Sequence, residues 1–262
     1  MPKSRSRTPV ARPLTAAVVA ELGVLGDDWP PRSREFQPKG NWIHTYRIWT
    51  CHGYRESGNT DQGYLVIERR VGASDDHFSL RVEQQVVHKD GIWHSLHARI
   101  TCRNNQIASP EEWDLASRFW SPSGKEHEDL RLDTKGRLRS GRAVFRSHGR
   151  TYEIPTAKQV TADWCLVEAV QRLPRTADEW LTFDVLEDLT VHRPGQRLAY
   201  KGPDPVKLDA VTLQLHRFCQ LGHGMLPYQY WLDDHQRLLL FTTLSRAYVL
   251  DPKARALKGD AA

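Results

Sequence analysis

Residues 78–102 read FSLRVEQQVVHKDGIWHSLHARITC. Lys89-Asp90-Gly91 interrupts two apolar-rich runs, and Asp-Gly accepts the positive φ that a tight hairpin turn demands. Beyond the turn, Ile92, Leu96, Ala98, Ile100 and Cys102 fall on one side, with His94 among them. Trp93, Ser95, His97, Arg99, Thr101 and Arg103 fall on the other. A period of two is the side-chain period of a strand. One dry face and one wet face are the mark of an antiparallel sheet that covers a core on one side.

The same texture extends both ways along the chain. NWIHTYRIWTC (41–51) and QGYLVIERR (62–70) are rich in β-branched and aromatic residues and flank the polar ESGNTD. EWDLASRFW (112–120), after Ser109-Pro110, reads as a helix capped by Ser109 or, the preferred reading, as a strand with Trp113, Leu115 and Phe119 on one face. EDLRLD (128–133) and RLRSGRAVFR (137–146) flank Thr134-Lys135-Gly136, which reads as another turn, and RTYEIP (150–155) follows His148-Gly149. In TADWCLVEAVQRLP (161–174), Ala162, Cys165, Leu166, Ala169, Val170 and Leu173 recur at helical spacing. Thr161 is the expected cap and Pro174 the stop. WLTFDVLEDLTV (180–191) reads two ways: a helix after Thr176-x-x-Glu179, or a strand alternating through Leu181, Phe183 and Val185. QRLAYKG (196–202) and AVTLQLHRFC (210–219) add strands.

Residues 226–250, LPYQYWLDDHQRLLLFTTLSRAYVL, form a hairpin around Asp233-Asp234-His235-Gln236 with a third strand behind it. Tyr228, Tyr230 and Leu232 share one face, but Leu238, Leu239, Leu240 and Phe241 leave neither face polar. Such a strand is covered twice. Ten or more strands exceed what a flat twisted sheet carries, so the sheet is expected to curl. The expected fold is mainly β: a curled antiparallel sheet, or half-barrel, wrapped around one central helix. The domain divides as a basic, Pro-rich, partly flexible region over 1–40, one β-rich half-barrel over 41–251, and a flexible tail over 252–262.

Composition sets limits on function. The chain has 262 residues and a net charge of +5, with four basic residues and no acid in MPKSRSRTPVAR. No apolar run reaches the ~18 residues of a spanning helix, so an integral helical membrane protein is excluded. No basic stripe interleaved with aromatics is present, so nucleic acid is not an expected partner. Cys51, Cys102, Cys165 and Cys219 form no CxxC and read as free buried thiols. In LTAAVVAELGVLG, Glu21 breaks a short apolar run, which reads as an amphipathic helix more than an export signal.

No constellation of catalytic type stands out. His94 and His97 lie on opposite faces of their strand and cannot share a metal without a bulge. His216, Cys219 and His223 sit on a strand and a Gly-rich turn, Glu111, Glu112 and Asp114 follow Ser109-Pro110 as a solvated turn, and GxSxG and phosphate-binding glycine loops are missing. No cofactor or metal is expected. Eight of the nine tryptophans fall in the body, which suggests an aromatic-lined cavity. Trp164 lies off the apolar stripe of its helix.

The long meander, the helix TADWCLVEAVQRLP and the closing trio resemble an uncharacterised bacterial family related to the lipoprotein-carrier (LolA-like) half-barrels. In that family a Tyr-Trp-x-Asp strand precedes a turn and a Leu-rich strand; here these are Tyr230-Trp231-Leu232-Asp233 and Arg237-Leu238-Leu239-Leu240. The resemblance covers roughly residues 41–251. It implies a curved sheet around a helix, an envelope or periplasmic location, and an apolar cavity for an acyl chain, with no catalytic residues. The chain departs from the family in lacking a clear export signal, which leaves a cytoplasmic location open. The function expected is non-catalytic binding of an apolar or lipid-like ligand, with Trp93, Trp164, Tyr228, Tyr230, Leu238 and Leu240 as cavity candidates. The alternatives are an interaction module with a filled core and a hydrolase or sugar-processing enzyme.

Overall fold

The computed structural model describes residues 14–26, 28–31, 35–51, 59–88, 90–176, 179–208 and 211–255. Its strands are β1 (Trp42–Thr50), β2 (Thr60–Val71), β3 (His77–Val87), β4 (Trp93–Arg103), β5 (Pro110–Trp120), β6 (Leu132–Arg139), β7 (Arg142–Ser147) and β8 (Arg150–Pro155). They continue as β9 (Val160–Ala162), β10 (Leu181–Glu187), β11 (Val191–Leu208), β12 (Val211–Leu221), β13 (Tyr228–Leu232), β14 (Leu238–Thr242) and β15 (Arg246–Leu250). Two short helices accompany them, α1 (Ala16–Glu21) and α2 (Asp163–Ala169). None of the described helices is long and apolar enough to cross a membrane.

All fifteen strands belong to one sheet, ordered β8-β7-β6-β5-β4-β3-β2-β1-β15-β14-β13-β12-β11-β10-β9. The pairings are antiparallel except for β9 with β10, which is parallel. The β3–β4 register places Phe78 opposite Cys102, Leu80 opposite Ile100, and Val82 opposite Ala98, all buried. Each large apolar side chain buried this way contributes about 1.5–3 kcal/mol. The outward partners on β4 are the polar residues of the alternation.

The sheet curls until its far end returns upon itself. β9 comes alongside β5. Thr161 Oγ1 donates to the Ile107 carbonyl in the β4–β5 connection at 2.6 Å, and Arg172 Nη2 donates to the Asn105 carbonyl at 3.0 Å. The ring therefore closes through side chains, without a ladder. Strands β6, β7 and β8 lie beyond the closure as an extension.

The helix is shorter than its periodicity suggests. Residues 161 and 162 belong to β9, the N-cap is Ala162 with no side-chain bond, and the chain passes into turns after Ala169. Thr161 is thus not a cap; its hydroxyl closes the ring. Glu168 of α2, fully buried, pairs with Arg69 Nε of β2 at 2.9 Å and with Arg172 Nε at 2.6 Å. Arg69 and Arg172 both lie over the Phe78 ring, and Cys102 Sγ is 3.7 Å from Cys165 Sγ. These contacts fasten α2 to the inner face of β2, β3 and β4.

Gly136 is not in a turn but inside β6, opposite Trp113, whose indole occupies the place of a side chain: an added Cβ would fall 2.2 Å from Trp113 Cε2. The turn comes later, at Ser140 and Gly141, both with positive φ. Segment 180–191 resolves as β10, and Asp188 and Leu189 turn with positive φ into β11.

The double covering of the C-terminal strands has a physical source. Tyr230 pairs with Phe241 and Phe241 with Tyr248 on the inner face. Trp231 pairs with Leu240 and Leu240 with Val249 on the outer. There Thr242 Oγ1 donates to the Leu14 carbonyl at 2.8 Å, α1 packs on β11, and Leu14, Ala16, Val19, Val24 and Trp29 are buried. The N-terminal segment is the second cover. Trp231 Nε1 donates to Asp204 Oδ2 at 2.7 Å. Asp233 accepts from the backbone N–H of His235 and Arg237 and so organises the turn. At the other terminus, Ala254 is buried against Tyr64 and Val66; residues 256–262 of the expected tail lie outside the described residues.

Candidate ligand cavity

A cavity of about 740 Å³ opens at the end of the barrel that carries the β3–β4, β10–β11, β12–β13 and β14–β15 turns. One wall is aromatic. Phe241 stacks on Tyr248 at 4.2 Å and 5° and on Tyr230 at 6.1 Å and 18°. Across the cavity, Phe119 stacks on His94 at 4.1 Å and 6°. Leu65, Leu96, Val167 and Val185 supply aliphatic surface, and Trp164 enters from α2. At the mouth, Leu226 and Leu244 are 52% and 63% exposed. Two leucines held in water at a cavity entrance are apolar lips.

The polar groups form two sets. In the first, Tyr230 Oη donates to Gln220 Oε1 at 2.8 Å, and Gln220 Nε2 donates to Gln196 Oε1 at 3.3 Å. In the second, Asp163, Glu187 and Asp188 gather at one side. Glu187 accepts from Arg193 Nε at 2.6 Å, and Asp163 Oδ2 accepts from the Asp188 backbone N–H at 3.4 Å. Asp163 Oδ1 has no hydrogen-bond partner among the described residues. Burial, and then the Asp188 charge, hold the Asp163 carboxyl well above the usual carboxylate range. His94 Nε2 bonds Ser117 Oγ at 2.8 Å, and burial lowers its pKa to about 4, so the ring is neutral near pH 7.

The cavity brings together Trp164, Tyr228 and Tyr230 but not the other three candidates. Trp93 is on the outer face, stacked on Trp120 at 3.8 Å; its place opposite Leu96 in the alternation already puts it there. Leu238 and Leu240 are fully buried elsewhere. The Leu238 amide donates to Gln171 Oε1 at 3.0 Å, below the cavity, and Leu240 faces the N-terminal cover. The Gln196–Gln220 pair, the acidic side and the Phe241–Tyr248 stack each join residues of different elements of the fold. Only the one-face placement of Tyr228 and Tyr230 and the position of His94 on the dry face pointed to them.

The acid–histidine groups weighed for hydrolysis do not converge. Glu111 pairs with His77 and Arg103, Asp114 with Lys135, and His94 with Ser117. His216 bonds Tyr200 and Asp234. Among the described residues no group of three side chains is disposed to hold a metal ion.

The fold has a solved counterpart. A β-barrel-like protein of the domain of unknown function DUF1849 from Brucella abortus aligns at a TM-score of 0.51 and 9% identity, covering 81% of this chain and 96% of that one. A DUF1089 family protein from Pseudomonas aeruginosa aligns at a TM-score of 0.38 and 13% identity, over 69% of this chain and 89% of that one. No family model and no curated protein matches the sequence. The first likeness shows a barrel-like fold and nothing about activity.

Proposed function

We propose that the protein binds an apolar or lipid-like molecule in this cavity without transforming it. The observation that carries the reading is the combination of an aromatic and aliphatic interior with apolar lips at its turn-lined mouth. Its volume lies within the range of small-molecule sites. The glutamine pair and the acidic side suit a ligand with a polar end. Burial drives the binding: about 0.8 kcal/mol per methylene, so a ten-carbon chain supplies roughly 8 kcal/mol before ordering costs. A sheet curled around α2, which presents Trp164 and Val167 to the ligand, fits the same reading, as does the resemblance to the lipoprotein-carrier half-barrels.

The test is native mass spectrometry of gently purified protein, organic extraction, and titration with an uncharged fluorescent acyl probe. The expected result is a co-purifying apolar molecule or saturable probe binding, weakened at least tenfold by Val185→Trp, which fills the interior. A wild-type protein that carries nothing and ignores the probe refutes the proposal and leaves the interaction-module reading.

A further inference from the structure

Beside the basic N-terminal stretch, a second part of the chain carries a local positive excess. Residues 132–155, which span β6, β7 and β8, hold six basic side chains against Asp133 and Glu153, a local net charge of +4. Lys135, Arg137 and Arg139 alternate along β6 and are exposed, as are Arg142 and Arg146 of β7. The register sets them on one face: Lys135 is opposite Arg146 and Arg139 opposite Arg142. The row continues through Asp114 of β5 to Arg99 of β4, which is opposite Arg81 of β3. Like charges directly opposite one another destabilise a sheet, and this face has three such pairs. The acids among them are few. Asp114 takes Lys135 at 3.3 Å, Glu153 takes Arg142 at 3.4 Å and Asp133 takes Arg118 at 2.5 Å, while Glu112 stands opposite Arg137 and Glu68 of β2 opposite Arg81. Arg81, Arg99, Arg137, Arg139 and Arg146 have no carboxylate partner among the described residues. A shallow groove of about 690 Å³ runs over the face.

Protection of a sheet edge does not explain the pattern. Edges are blunted by charge on the edge strand itself, and β8, the edge, carries only Arg150 and Glu153. The arginines crowd the two strands inside it. Single-stranded nucleic acid also fits poorly, because its bases need aromatic platforms. Trp113, Phe145 and Tyr152 all point from the opposite face. Trp93 and Trp120, outward but stacked on each other, lie six residues further along β4 from Arg99, about 20 Å away.

We propose that the outer face of β3 to β7 is a docking surface for an anionic lipid bilayer. A broad array of guanidinium groups complements a layer of phosphodiester headgroups, and each such cation near an anionic membrane adds to its attraction within a Debye length. The docking is peripheral and does not require the cavity to hold a ligand.

The experiment is co-sedimentation of the full chain with sucrose-loaded vesicles of phosphatidylcholine alone, and of phosphatidylcholine with about a third phosphatidylglycerol, at low and high salt. Binding is expected only to the anionic vesicles and is expected to disappear at high salt. Arg137→Ser with Arg146→Ser, both exposed and without ion pairs among the described residues, is expected to weaken binding roughly thirtyfold. Lys207→Glu, on exposed β11, is expected to leave binding within about twofold. Equal binding to both vesicle types, or an equal loss with Lys207→Glu, overturns the proposal. So does tighter binding to duplex or single-stranded nucleic acid than to vesicles at the same salt.

Discussion

Glu168→Gln is the substitution through which the buried core can be interrogated most directly. Glu168 is fully buried and accepts three bonds: Arg69 Nε at 2.9 Å, Arg172 Nε at 2.6 Å and Arg172 Nη2 at 2.8 Å. Arg69, 1% exposed, also donates to the Lys39 and Gly40 carbonyls. The triad has one net positive charge, and the Phe78 ring lies 4.2 Å below Arg69. Glutamine preserves the size but leaves two buried guanidinium groups without an anion. Removing one partner of a buried ion pair costs about 3–5 kcal/mol. At this chain length that lowers the melting temperature by roughly 6–10 °C. Arg69→Met is the informative contrast. It leaves Glu168 balanced by Arg172 and keeps an apolar group against Phe78, so about 1–2 kcal/mol is lost with the two carbonyl bonds. The double substitution leaves only one uncompensated cation, and its cost is expected to fall below the sum of the singles by at least 1 kcal/mol. Urea unfolding of the four proteins measures all three terms. A Glu168→Gln loss under about 1 kcal/mol, or strict additivity, refutes the view that a dry charge triad fastens α2 to the sheet.

Two further predictions concern the cavity wall and the extension. Burial, then the charges of His88 and Arg246, lower the pKa of His94 from 6.5 to about 4. The unfolded chain takes up the proton near 6.5, so the stability tied to neutral His94 is complete above that pH and is lost as pH falls towards 4, by at most roughly 3 kcal/mol. His94→Gln, which can still meet Ser117, is expected to flatten the fall in urea midpoint between those pH values. The flattening is partial, because His44, lowered to about 3 by burial and Arg237, acts in the same direction; identical slopes count against the buried neutral ring. Gly136→Ala forces a methyl group into the Trp113 indole and is expected to cost about 1–3 kcal/mol in thermal unfolding. An unchanged transition means that Trp113 does not lie over that backbone.

What could be read from the chain depends on how many faces of each strand are covered. β3 and β4 wear water on one face, so their period of two, and with it the class of fold, shows in the residues alone. β13 and β14 are covered by the cavity wall on one side and by the segment around Leu14 and Val19 on the other. Their alternation is erased, and the second cover is too distant in sequence to identify. Gly136 misled because glycine marks both turns and places where another group touches the backbone; only the register with Trp113 separates the two. The helical repeat over 161–174 is genuine, but Thr161 and Ala162 are taken by β9, whose parallel pairing with β10 and bond to Ile107 close the ring. That closure is also what makes the cavity. Its walls come from β2 to β5 and from α2 through β15, segments that meet only once the sheet has curled through its full course. Same-face spacing therefore brings out Tyr228 and Tyr230, which sit on one strand, and is blind to Asp163, Gln196 and Phe241, which become neighbours only through the barrel. Trp93 marks the limit of composition as a guide: an aromatic count nominates it, but its own alternation with Leu96 and Ala98 turns it outward, and the alternation is the stronger physical statement.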